Sequence, residues 1–60
     1  MLEAYQQLKE LVASAEEDVQ KAAGGNKAAG TRVRKIMQEV KNAAQNLRVK
    51  VLEARDGSEG

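Results

Sequence analysis

Ala22-Ala23-Gly24-Gly25-Asn26-Lys27-Ala28-Ala29 decides the fold, because it carries the one clear break in a chain that otherwise reads as helix. Gly24-Gly25 supplies a residue that turns left-handed at no steric cost. Asn26 is a favoured N-cap for the segment that follows. Upstream, Tyr5, Leu8, Val12, Ala15, Val19 and Ala22 alternate steps of three and four, the rhythm of an amphipathic helix, and Leu2 and Leu11 widen the stripe. Downstream, Val33, Ile36, Met37, Val40, Ala43, Ala44, Leu47, Val51 and Ala54 continue it, with Val40, Ala44, Leu47 and Val51 on one face. Gly30 costs about 1 kcal/mol inside a helix, which makes Thr31 an alternative start; the strong helix formers Lys27, Ala28 and Ala29 favour Asn26. The expected fold is all-α, an antiparallel two-helix hairpin. Helix one covers about 2–23, the turn 24–26 and helix two about 27–55, with 56–60 a disordered tail. By length the second helix (~43 Å) outruns the first (~33 Å).

Sixty residues make one domain at most. The large apolar side chains are few: five Leu, six Val, one Ile, two Met, one Tyr and no Phe or Trp. So small a supply leaves a monomer short of buried surface, and association of hairpins into a dimeric four-helix bundle or coiled coil is the expected remedy. Small residues at Ala15, Ala22, Ala43 and Ala44 suit close helix approach.

With no Cys and no His, disulfides, thiolate metal sites, cysteine nucleophiles and histidine bases are excluded. Met1-Leu2-Glu3 opens an amphipathic pattern at once, without the basic and apolar regions of a signal peptide. No run is long enough to span a bilayer. A cytoplasmic protein without enzymatic activity, cofactor or small-molecule substrate is expected.

The net charge of +1 conceals segregation. Residues 1–20 set five acids against Lys9, whereas residues 21–55 set nine basic residues against Glu39 and Glu53. Lys27, Arg34, Lys41, Arg48 and Arg55 recur at intervals of seven on helix two, one slowly drifting stripe beside the apolar face. Lys35 and Arg32 broaden it, and Thr31, Gln38 and Gln45 lie along the same polar side. A rigid array of cations among amide and hydroxyl donors suits a phosphate backbone. Glu3, Glu10 and Glu17, also seven apart, point away from the seam and leave an acidic back to a basic front.

Blander readings stand beside each of these. The stripe also fits a solvated flank that pairs with acids of another helix, a structural interaction module without nucleic acid. Glu16-Glu17-Asp18 splay apart on a helix and read as solvated surface rather than a metal site. Gly25 to Thr31 has Walker-like glycine spacing but lacks the Lys before Thr31 and a preceding strand. Tyr5, the sole aromatic, removes base stacking as a recognition mode and reads as a core or interface residue. Binding at a membrane surface ranks below both, because no Trp or Phe sits on the apolar face.

Gly25-Asn26-Lys27-Ala28-Ala29-Gly30-Thr31-Arg32-Val33-Arg34-Lys35, between an acidic helix and a basic one, resembles the bacterial linker-histone-like family, whose chlamydial members carry a similar Gly-Asn-Lys-Ala-Ala and Arg-Val-Arg sequence. The resemblance covers Leu2 to Arg55; the long Lys-rich tail of chlamydial members lies outside it. It implies a DNA-binding nucleoid protein, with Lys27, Arg32 and Arg34 as contacts; the charge pattern adds Lys35, Lys41, Arg48 and Lys50. The expected partners are double-stranded DNA, bound with little sequence preference, and a second copy of the chain.

Overall fold

The computed structural model describes residues 1–59, with side chains described through Arg55. Two helices, α1 (Leu2–Ala23) and α2 (Lys27–Glu59), pack antiparallel against each other. The tail expected over 56–60 falls on positions whose side chains, and for Gly60 the backbone as well, lie outside the described residues.

Local chemistry explains the reversal. The Gly25 N–H donates to the Ala22 carbonyl and the Asn26 N–H to the Lys21 carbonyl, both at 3.0 Å, with Gly25 at φ 99°. This is the Schellman pattern, which satisfies the last carbonyls of a helix through a left-handed residue. Asn26 then starts the next helix: its Oδ1 accepts the Ala29 N–H at 2.9 Å, and its carbonyl accepts the Gly30 N–H at 3.1 Å. One three-residue segment therefore closes α1 and opens α2, which holds the helices side by side.

The seam between them follows a heptad. On α1 the residues withdrawn from solvent are Ala4, Leu8, Leu11, Ala15, Asp18 and Ala22. On α2 they are Ala29, Val33, Ile36, Val40, Ala43 and Leu47, with Gly30 beside them. Lettering the repeat abcdefg puts Leu8, Ala15 and Ala22 at a and Ala4, Leu11 and Asp18 at d. In α2, Val33, Val40 and Leu47 are a and Ala29, Ile36 and Ala43 are d.

This seam is rotated from the one expected on α1. Leu8, Ala15 and Ala22 do face α2, but Tyr5, Val12 and Val19, all at e, are 49%, 52% and 45% exposed, while Leu11 and Asp18 turn inward. Likewise Val40 and Leu47 face inward, whereas Met37, Ala44 and Val51, again at e, face out. The physical reason is breadth: three apolar positions per repeat make a stripe wider than one partner helix covers. The hairpin closes on the side rich in alanine, where axes approach most closely.

Only Ala4, Ala15 and Ala29 are buried among the described residues, and no large side chain is fully buried. The molecule measures 51 × 14 × 12 Å. Its long dimension is set by α2, whose 33 residues at ~1.5 Å each outrun the 22 of α1. No described helix is long and apolar enough to cross a membrane.

Candidate nucleic-acid interface

The heptad frame assigns each cation a direction. Lys27, Arg34, Lys41 and Arg48 all take position b of α2, with Arg55 continuing the row. Position b borders the e flank and points away from α1, so every one of these side chains is exposed. Successive members stand ~10 Å apart along a rigid helix. Beside the row, position f presents Thr31, Gln38 and Gln45, and Lys35 at c lies one row further round; all are exposed. Lys27, Arg34, Lys35, Lys41 and Arg48 make no ion pair among the described residues.

Two of the seven expected contacts stand elsewhere. Arg32, at g, lies on the flank opposite the e residues, where its Nε and Nη2 donate to Asp18 Oδ1 at 3.1 and 3.0 Å. Its hydrogen bond holds the Asp18 carboxyl below the ordinary carboxylate range, reinforced by the nearby positive charge of Arg32 and Lys21, and Asp18 in turn raises Arg32. Lys50 falls where the seam runs past the start of α1; its Nζ is 3.6 Å from Glu53. It helps line a notch with Met1, Ala4, Gln7 and Asn46 at the open end of the hairpin. The row of four and Lys35 thus form one surface, and Arg32 and Lys50 are not part of it.

The acids are distributed to match. Glu3, Glu10 and Glu17 occupy position c of α1, on the far side of the molecule from the α2 row. Glu17 is 3.1 Å from Lys21 on its own helix. Asp18, expected on a solvated face, instead reaches across to the other helix. Its signal was in the spacing: it falls seven residues after Leu11, at a seam position. No described group of acids is arranged to hold a metal ion.

A slender helical hairpin with one cationic edge and one acidic back makes this a small, charge-polarised helical protein. Over residues 2–57 the chain matches the family of histone H1-like protein Hc1, and it belongs to that family. This is a non-enzymatic, DNA-binding family of the nucleoid. Comparison with curated proteins and with solved structures finds no match.

Proposed function

We propose that this protein is a homodimeric nucleoid protein that binds duplex DNA with little sequence preference through the phosphate backbone. The observation that carries the reading is the b row of α2. Lys27, Arg34, Lys41 and Arg48 are exposed, evenly spaced on one rigid element and unengaged by carboxylates among the described residues. Such an array gains affinity from every condensed counterion it displaces. Lys35 and the Gln38 and Gln45 amides extend the same surface with further donors to phosphate oxygens.

Three features favour backbone contact over base readout. The hairpin lacks a helix-turn-helix arrangement that would seat a recognition helix in the major groove. Tyr5, the one aromatic, lies on α1 away from the row. Lys and Arg alternate along it with no partner side chains set for bidentate base recognition.

The test is a mobility-shift titration of the full chain against duplex DNA of two unrelated sequences at several salt concentrations. The expected result is equal affinity for both sequences, falling with salt at a slope near 0.9 per phosphate engaged. Affinity independent of salt, or no binding at low salt, overturns the reading.

A further inference from the structure

The e flank is an exposed apolar surface that DNA binding leaves unused. Tyr5, Val12 and Val19 on α1 and Met37, Ala44 and Val51 on α2 each recur at intervals of seven. In an antiparallel pair the two e rows lie on the same side, and Val12, Val19 and Met37 line one shallow groove there. The row of cations at b runs along the α2 rim of this flank.

We propose, building on the DNA-binding reading above, that two copies stack through these flanks with α1 of each across α2 of the other, which sets the two cationic rows on opposite edges and lets one dimer hold two duplexes.

A second copy is the occupant because of both need and fit. Among the described residues the hairpin buries no side chain larger than alanine, so its apolar surface is short of what a stable fold of this size requires, and a face-to-face copy covers it. The flank is also its own complement. With the two-fold axis along the helices, the α1 order Tyr5, Val12, Val19 lies against the α2 order Ala44, Met37, Gly30 of the second copy. The largest residue then meets a small one, the two middle residues meet each other, and Val19 meets glycine. Placing like helices together sets Gly30 against Ala44 and Tyr5 against Val19, leaving a void at one place and crowding at the other.

Charge selects the same arrangement. If α2 lay on α2, the rows Lys27, Arg34, Lys41 and Arg48 of both copies would share one rim and repel. With α1 on α2, each row instead borders Leu2, Lys9, Glu16 and Ala23 of the second copy, one cation and one acid. The rows then face away from each other, separated by two helix widths, ~20 Å. A single straight duplex cannot reach both, so each edge takes its own.

The chain has no cysteine, which makes the pairing directly readable. Val12→Cys and Met37→Cys are prepared separately, mixed and mildly oxidised. The expected product is a disulfide-linked pair containing one chain of each, absent from either variant alone. Self-linked Met37→Cys, or no linked pair in the mixture, overturns the arrangement. In parallel, duplex DNA fixed to beads is incubated with the full chain and a second, labelled duplex. Retention of the label is expected, with its loss in Val12→Glu. If the protein shifts a duplex in a gel yet retains no second one, bridging is wrong and the DNA-binding reading stands; if it shifts none at low salt, that reading itself fails.

Discussion

Asp18 occupies a d position that the other repeats of α1 fill with Ala4 and Leu11, and it is tolerated there because Arg32 meets it from α2. Its side chain is 18% exposed while that of Arg32 is 52% exposed, so the pair is partly screened and works more as a register pin than as a source of stability. A slide of one helix along the other would leave a carboxylate in an apolar seam without its partner. The carboxyl is held below its ordinary value near 3.8, chiefly by the Arg32 hydrogen bond. A depressed acid contributes stability that is present above its unfolded pKa and is lost as pH falls through the lower folded value. Thermal unfolding should therefore show a fall in stability on acidification below about pH 4, and Asp18→Asn should flatten that part of the profile. The same substitution leaves the cationic row untouched, so the salt slope of DNA binding should stay as it is. Gly25 is the second residue whose chemistry is fixed. At φ 99° with nothing near the place a Cβ would occupy, its cost on substitution is conformational alone. Gly25→Ala should lower stability by about 1–2 kcal/mol in denaturant titration without altering DNA contacts.

At the scale of the helices, the hairpin was legible because two signals agreed: glycines with an Asn cap at one point, and apolar periodicity of one kind on both sides. What periodicity could not supply was the orientation of a stripe three positions wide. Tyr5 and Val12 are larger than Ala4 and Ala15, so hydrophobicity favours them as core, yet the alanines turn inward because they let the helix axes close up. Asp18 carries a seam spacing, seven residues after Leu11, but a carboxylate counts as surface until its partner is known. The cationic row was legible in full, since a sevenfold spacing keeps residues on one side of a helix whatever that side faces. Arg32 and Lys50 fall off the row: the resemblance points to the first and net charge to the second, and neither carries the sevenfold spacing. This division yields a graded expectation for single substitutions measured by salt-dependent titration. Arg34→Ala, Lys41→Ala and Arg48→Ala should each reduce the salt slope by about one, uniformly across DNA sequences. Arg32→Ala should leave the slope nearly unchanged and lower stability instead. Reversing both Arg34 and Lys41 to Glu should abolish binding while leaving the helical content and the state of association intact.

For the whole molecule, the decisive quantity is how folding depends on concentration. A hairpin in which only Ala4, Ala15 and Ala29 are buried among the described residues has little to offset the entropy of ordering its chain. If association supplies the missing apolar burial, folded and associated states are one, and the unfolding midpoint must rise with protein concentration, each tenfold increase adding about 1.4 kcal/mol of apparent stability per mole of dimer. Thermal melts followed by circular dichroism over a hundredfold concentration range should show this shift. Val12→Glu should move the midpoint down at every concentration, by making the e flank polar. A midpoint independent of concentration, together with a monomeric mass in solution, would show that the α1–α2 seam suffices alone. DNA adds a second linkage with its own sign. Because the cationic row lies on the rim of the flank and not within it, binding DNA and associating do not compete. Duplex DNA at low salt should therefore raise the unfolding midpoint further, and added salt should remove that increment while leaving the concentration dependence in place.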